Sequence, residues 1–482
     1  MLPTTTIEKE VLVAEPTALQ YYGALELEFR KRVGGTFRQF IDYVLPDYPH
    51  YKHIEKMVEV LDRVANDELH NVMFFMPPQY FKSTTVSRLF SAYYLFRHPE
   101  RFVGMASYSG DLAVMMSRAS MDFYCRGGMK LHPDVQSTRE WMTQDGGGMW
   151  SAGVGGSITG RSGALGIIDD PFKDEKEAYS SRIRESRIDW YRSVWSTRNF
   201  HSQILVFTRW HDADLAGYLF EEEPHNPKHW HIVCFDAIKE QEDMKVPPTC
   251  TLEKDWRIPG EALCPEIHTS EQLASRRKTV GELFWSSLFQ QRPVMMKGNL
   301  WKADWFLDPN NQFMTLPEGC VNDGYDWDTA QTDDVRNAAN AFVRSVVKRG
   351  EHDTMYVTDI DWEWFEFPEL VSWMKSKPDA PHYVENKSSG KDVVSTLKSE
   401  NIAAKEVSVK GDKESRTALV VHHIENGRVK IAAHLIDKLL NDGKQGILAF
   451  PRGKHRDLND AFVQAINRQL VNSTKVEVLF AI

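Results

Sequence analysis

The sequence predicts an α/β protein, with a mostly parallel sheet flanked by helices in its front half and a second alternating region behind it. Three observations carry this. Four short apolar runs alternate with helical stretches between about residues 70 and 240: Val72–Met76, Phe102–Ala106, Leu165–Ile168 and Gln203–Phe207. A Lys82-Ser83-Thr84 loop stands between the first run and a helical stretch. Carboxylates close several of the apolar runs, where a sheet presents its chemistry.

Taken in order, residues 17 to 66 read as amphipathic helix, with Leu25, Phe29, Phe37, Phe40, Ile41 and Val44, then Ile54, Val58 and Leu61, at helical spacing. Pro46 and Pro49 interrupt that pattern. The first apolar run leads into Met76-Pro77-Pro78-Gln79-Tyr80-Phe81-Lys82-Ser83-Thr84. Strand, loop, Lys-Ser/Thr, helix is the logic of a phosphate-binding loop: backbone N–H groups and a helix start face the phosphates, the lysine supplies charge and a hydroxyl serves Mg²⁺. Leu165–Ile168 ends in Asp169-Asp170, which suits a buried strand offering one acid to Mg²⁺ and another to an attacking water. The run ending in Thr208-Arg209 suits a neighbouring strand that senses a γ-phosphate. Pro- and acid-rich text from about 240 to 262 reads as loop, and residues 269 to 292 as helix.

The second alternating region begins near residue 318. Asp328, Glu385 and Asp457 each lie at the end of a strand-like run or the start of a helix-like one, and together suit hard divalent cations, which prefer oxygen ligands. Asp326 shares a sheet face with Asp328 by period two and could substitute for it, while Asp359 and Asp361 follow another apolar run and are further possible ligands. Lys410, Lys413 and Arg416, between the second and third acids, are read as DNA-backbone contacts or a solvated loop. Trp362, Trp364, Phe365 and Phe367 are read as packing.

Bulk properties fit a chain of two or three domains. Of 482 residues, 42% are apolar and 26% charged, ordinary for a globular protein. No apolar run reaches about 18 residues, so no membrane span is expected. The N-terminus lacks a basic segment followed by an apolar core, so no secretory signal is expected. Five cysteines without a Cys-x-x-Cys pair argue for a reducing compartment and against a zinc or disulfide frame. The net charge of −10 is unusual for a nucleic-acid binder, yet residues 387 to 456 hold 14 Lys/Arg against 8 Asp/Glu. A local basic surface can bind phosphates on an acidic protein.

Several phrases together resemble the large terminase subunit of tailed bacteriophages. They are Gly156–Arg161 with Ile167–Pro171, Leu205–His211, Gly260–Glu266 with Phe289–Pro293, Trp327–Ala330, Glu385–Gly390, and Phe450-Pro451 with Asp457 and Asp460-Ala461. The resemblance covers roughly residues 35 to 470 in order. It implies an ATP-driven double-stranded DNA translocase joined to a ribonuclease-H-like endonuclease that cuts concatemeric genomes and fills a procapsid. Gln79 and Lys82 are then expected to contact ATP, Ser83 or Thr84 to hold Mg²⁺ with Asp169, Asp170 to be the catalytic acid and Thr208 the coupling residue. Arg161 occupies the place of an arginine finger acting on a neighbouring subunit. In the nuclease, Asp328, Glu385 and Asp457 are expected to hold Mg²⁺ or Mn²⁺, with Asp460 in reserve. Two departures stand out: Phe81 replaces a glycine that lets backbone approach phosphate, and Arg456 stands where relatives often place the first Asp of a pair.

The expected organisation is a helical extension over 1–45, the ATPase core over 46–245, a lid or linker over 246–317 and the nuclease over 318–482. The implied partners are double-stranded DNA, the portal protein and the small terminase subunit. A monomer in isolation is expected to become a pentameric ring on the procapsid. The implied location is the host cytoplasm and, transiently, the portal, but not the mature virion. Two other classes share features. A repair or defence helicase-nuclease needs helicase motifs where Gln290-Gln291-Arg292-Pro293 stands, and a capsid-associated binding protein needs a phosphate loop that has lost hydrolysis.

Overall fold

The computed structural model describes residues 33–158, 160–293, 300–330, 338–377, 379–386, 390–409, 412–441, 446–450 and 456–471. Leu25, Phe29, Thr159, Lys387, Ser388, Ser389, Lys410 and Pro451 lie outside these residues. The described residues form two compact units, one drawn from 1–72, 81–169 and 198–206, the other from 73–80, 170–197 and 207–482.

The first unit begins with helices Phe37–Val44 and Lys52–Ala65. Thr36 starts the former: its Oγ1 accepts from the Gln39 N–H at 3.3 Å, and Gln39 Oε1 accepts from the Thr36 N–H at 3.2 Å. Phe37, Phe40, Ile41 and Val44, then Ile54, Val58 and Leu61, are all buried, as their helical spacing predicts. The sheet of this unit runs β3 (Leu131–Ser137), β4 (Glu140–Thr143), β5 (Gly148–Gly153), β2 (Phe102–Ser107), β6 (Leu165–Asp169), β7 (Ser202–Phe207). β2 is parallel to β5 and β6, with Met105 opposite Ser151 and Ile167, and β6 is parallel to β7. β3, β4 and β5 add an antiparallel meander to this parallel core. Every residue of β6 and β7 is buried, as continuous apolar strands covered on both faces should be.

The second unit includes the remainder of β1 (Asn71–Phe75), the short parallel pair β8 (His231–Cys234) and β9 (Thr251–Leu252), and helix Ser270–Phe284. The helix expected over 269 to 292 is broken at Gly281, which has φ +78°. A Cβ there would lie 2.7 Å from the His422 Cβ, so neither the turn nor the packing admits a side chain.

A seven-stranded sheet follows, in order β10-β16-β13-β12-β11-β14-β15. β11 (Val321–Asp328), β12 (Asn340–Lys348) and β13 (Thr354–Glu363) form an antiparallel meander, and β14 (His382–Glu385) joins β11 in parallel. β15 (Ala404–Val407) extends that edge, while β10 (Gln312–Phe313) and β16 (Val429–Ala432) complete the other. Alternation divides the side chains. Tyr325, Trp327 and Phe342 pack with Leu370, Met374, Val393 and Leu397, from helices Phe367–Lys375 and Gly390–Ser399. Val343, Val357 and Ile431 pack instead with Leu458, Phe462 and Ile466 of helix Asp457–Ile466. Asp326 and Asp328 lie opposite Val343 and Ala341, so they share the face of this last helix.

His382 opens β14 at 2% exposure, stacked on Tyr325 (centroids 5.2 Å apart), and its Nδ1 accepts from the Trp327 Nε1–H at 3.0 Å. Burial pushes its pKa down to about 4. The folded chain thus refuses a proton that the unfolded chain takes near pH 6.5, and stability present above that pH is lost as pH falls towards 4. The full loss is on the order of 3 kcal/mol. Chemical denaturation at pH 7.5 and 5.0 checks this: His382→Gln should reduce the pH slope by about half, leaving the comparable contribution of His423, whose pKa burial pushes down to about 3. An unchanged slope would exclude His382 as its source.

Candidate active sites

The phosphate loop leaves β1 with two residues in left-handed backbone, Gln79 at φ +68° and Phe81 at φ +65°. Phe81 therefore adopts the conformation that glycine reaches freely, at a cost of roughly 1–2 kcal/mol. Its ring packs edge-on to Tyr48 at 5.6 Å and against Tyr51 at 6.2 Å, contacts that a glycine cannot make. Lys82 is buried, and a helical run begins at Thr84. Ser83 Oγ donates to Asp169 Oδ1 at 3.0 Å, and Ser87 Oγ donates to Asp169 Oδ2. A hydroxyl and a strand-end carboxylate thus stand side by side, the donor set that Mg²⁺ requires beside a triphosphate. Ser87 was not singled out in the sequence, although its position four residues beyond Ser83 places it on the same helix face.

Asp170 follows Asp169 at φ +42°, turning the chain sharply out of β6. Thr208 Oγ1 donates to the Met76 carbonyl at 3.3 Å, next to the loop's first residue. Arg209 is buried: its Nε donates to Asp214 Oδ2 at 2.8 Å, and its backbone N–H to Gln291 Oε1 at 3.1 Å. Gln290 is tied to the Ile238 backbone from both ends of its amide. The Gln-Gln-Arg-Pro segment is thus a brace behind the Thr208 strand end. Arg161 pairs with Glu140 at 2.8 Å and lies 5.9 Å from the centre of the Trp150 ring.

The second site lies wholly within the second unit. Asp328 ends β11, Glu385 ends β14, and Asp460 lies one turn into helix Asp457–Ile466. Asp328, Glu385 and Asp460 each offer a carboxylate oxygen within 4.8 Å of the other two. Asp457, at the first position of the helix, turns Oδ2 to the Ala339 N–H at 2.8 Å. Asp326 is fully buried and clasped by Arg468, whose Nε and Nη2 each reach Oδ2 within 2.9 Å, leaving it an ion-pair partner. Asp361 pairs with Lys438 at 2.7 Å. Asp359 and Asp361 both lie within β13.

Two cations enter from helix Lys413–Ala418. Lys413 Nζ pairs with Asp460 and lies 3.6 Å from Asp328 and 3.9 Å from Asp457. Arg416 lies 3.5 Å from Glu385 and 3.3 Å from Asp460. Arg416 is 6% exposed, so the reading of it as a DNA-backbone contact does not hold. Burial, helped by Asp460, Glu385 and Asp457 and opposed by Lys413, pushes the Asp328 pKa well above the carboxylate range. Burial works against charge on Lys413, but Asp328, Asp460 and Asp457 outweigh it and hold the ammonium above its usual value. Converging buried carboxylates held among cations fit a hard divalent ion, which removes their mutual repulsion when bound.

A strand-and-loop nucleotide site joined to a ribonuclease-H-like acid cage defines a nucleotide-driven nuclease. The description "Terminase large subunit, T4likevirus-type, N-terminal" matches residues 73–308, and "Terminase RNaseH-like domain" matches residues 351–469. The chain belongs to the large terminase subunit family, and is a DNA-packaging ATPase and endonuclease. No curated protein matches it. Among solved structures, it is similar to the large terminase of a thermophilic bacteriophage with ADP (11% identity, 90% of this chain, 100% of that one, TM-score 0.49). It is also similar to the HK97 bacteriophage large terminase (11% identity, 85% and 91%, TM-score 0.36). A third likeness is to the large terminase nuclease of thermophilic phage G20c with magnesium (13% identity, 36% and 98%, TM-score 0.25). The family assignment rests on the two family matches.

Proposed function

We propose that this terminase subunit drives double-stranded DNA through a portal into the procapsid by hydrolysing ATP, and cuts concatemeric DNA at the Asp328–Glu385–Asp460 cage. The observation that supports the cutting site best is the convergence of those three carboxylates from two strand ends and one helix. A bound Mg²⁺ or Mn²⁺ there supplies Lewis-acid stabilisation and a nucleophilic water. The chain's part is to fix the carboxylate oxygens. Asp457, held by the Ala339 N–H, is poised as a further ligand beside Asp460.

In the motor half, Gln79, Lys82, Ser83 and Thr84 hold the triphosphate. Ser83 and Asp169 serve Mg²⁺, Asp170 orients the attacking water, and Thr208 reports hydrolysis to the loop through Met76. Arg161 acts on a neighbouring subunit once a pentameric ring assembles on the portal, exchanging Glu140 for that neighbour's nucleotide. The small terminase subunit delivers DNA, and the work takes place in the host cytoplasm at the procapsid. No helix among the described residues is long and apolar enough to cross a membrane.

The test is to measure ATP turnover and plasmid cleavage by the purified chain. Slow turnover is expected, because an arginine finger typically contributes about 10³–10⁵-fold and a lone subunit lacks its neighbour's. Cleavage should appear only with Mg²⁺ or Mn²⁺ and disappear on chelation. Cleavage in excess chelator would remove the metal cage from the mechanism.

A further inference from the structure

Lys413 and Arg416 approach the same acids but differ in how firmly they are placed. The Lys413 side chain is 35% exposed and that of Arg416 is 7% exposed. Lys413 stands at the mouth of the cage, in the first turn of a helix started by Asp412, whose Oδ1 accepts from the Ser415 N–H at 2.8 Å. Its ammonium touches three of the four carboxylates: it pairs with Asp460 and lies within 4 Å of Asp328 and Asp457. Arg416 reaches the fourth, Glu385, and shares Asp460. Fully ionised, as metal ligands must be, four acids against two bases carry −2, the charge that one divalent ion offsets.

Space decides where that charge can go. Ligand oxygens that all lie within 4.8 Å of one another surround a small volume. Mg²⁺ or Mn²⁺ sits about 2.0–2.2 Å from its oxygens. An ion bound to Asp460 and Asp328 therefore falls where the Lys413 ammonium now lies, and two positive centres cannot share that volume. A compact ammonium on a four-carbon stem can swing out to solvent, whereas a buried planar guanidinium spanning two acids cannot.

We propose that Lys413 is an internal counter-ion that holds the place of the divalent cation in the nuclease cage and must withdraw before metal can load. Arg416 is the fixed positioning residue that keeps Glu385 and Asp460 converged. This rests on the reading of Asp328, Glu385 and Asp460 as metal ligands. Its consequence is a threshold. The cage stays closed to metal at low occupancy of its mouth, and a DNA phosphate arriving there offers the withdrawn ammonium a new partner. Metal loading and DNA engagement then favour each other, which restrains cutting while no strand is in place.

The experiment measures Mn²⁺ binding to the full chain by calorimetry, without DNA and without turnover. Outer-shell partners commonly change metal affinity by about 10–100-fold. Lys413→Met, which keeps the stem and removes the charge, should tighten Mn²⁺ binding by about tenfold or more. It should also enlarge the rise in melting temperature on adding Mn²⁺, since a tighter ligand stabilises the folded state more. If Lys413→Met folds poorly without metal, Lys413→Gln carries the same comparison. Unchanged or weaker Mn²⁺ binding in both variants overturns the proposal. Asp328→Ala separates the two levels. Its loss of Mn²⁺ binding places the ion in the cage, whereas wild-type binding by Asp328→Ala defeats the reading of the cage itself.

Discussion

Asp328→Ala should abolish metal-dependent plasmid cutting while ATP turnover remains close to that of the parent chain. Asp328 is the one cage ligand supplied by β11, and its oxygen lies within 4.8 Å of those of Glu385 and Asp460. Removing it leaves an ion held from one side only. Correct metal placement contributes several kcal/mol to charge stabilisation in such reactions. At about 1.4 kcal/mol per decade, a loss of roughly 10³-fold or more in cleavage follows. Lys82, Ser83 and Asp169 of the nucleotide site belong to the other compact unit, and Gln79, Asp170 and Thr208 to that of the cage. Asp328 has no part in ATP hydrolysis, so phosphate release should not register the change. Gel-based cleavage and phosphate release, measured on the same preparation, distinguish this from general misfolding. Normal cutting by Asp328→Ala would refute the assignment.

Lys82→Ala should have the opposite profile, with ATP hydrolysis lost and metal-dependent cutting of naked plasmid retained. Lys82 is the one cation between the left-handed turn at Phe81 and the Ser83–Asp169 contact. Removing a single preorganised stabiliser of transition-state charge commonly costs about 10²–10³-fold in rate. The loop itself should survive, because Phe81 still packs on Tyr48 and Tyr51, and the Phe81 carbonyl still accepts from the Thr85 N–H at 2.9 Å. Phosphate release by Lys82→Ala at the parental rate would mean that this loop does not hold the triphosphate.

Much of this was legible in the sequence because the relevant signals are local. The apolar runs at Val72, Phe102, Leu165 and Gln203 became β1, β2, β6 and β7, since continuous apolarity over a few residues has few other outcomes in a covered sheet. Asp328 and Glu385 were singled out because each closes an apolar run, and the structure places each at the last position of its strand. The meander β3–β4–β5 was not found. β3 contains a proline and leaves most of its residues at least partly exposed, so neither alternation nor an apolar run marks it. Asp457 and Asp460 could not be ranked from spacing, because residues three apart share a helix face. The Ala339 N–H, brought to Asp457 from 118 positions away, distinguishes its surroundings from those of Asp460, which converges with Asp328 and Glu385. Arg416 was misread for a related reason, and the contact of Lys413 with the acids was not foreseen. A basic stretch between acids looks like a phosphate-binding surface until tertiary structure shows that two of its side chains, Lys413 and Arg416, point at the acids. Phe81 is an instructive departure, since the left-handed backbone expected of glycine is kept and aromatic packing takes up the side chain.

The central claim is that Asp328, Glu385 and Asp460 form the divalent-metal centre of the nuclease. Anomalous scattering from crystals of the full chain soaked in Mn²⁺ tests it most directly. The account predicts a manganese peak with carboxylate oxygens of all three residues at about 2.0–2.6 Å, and with the Lys413 ammonium moved out of the cage. A chain that binds manganese only elsewhere, for instance at Asp359 or Asp361, or that shows no peak while cutting plasmid under the same conditions, would contradict it.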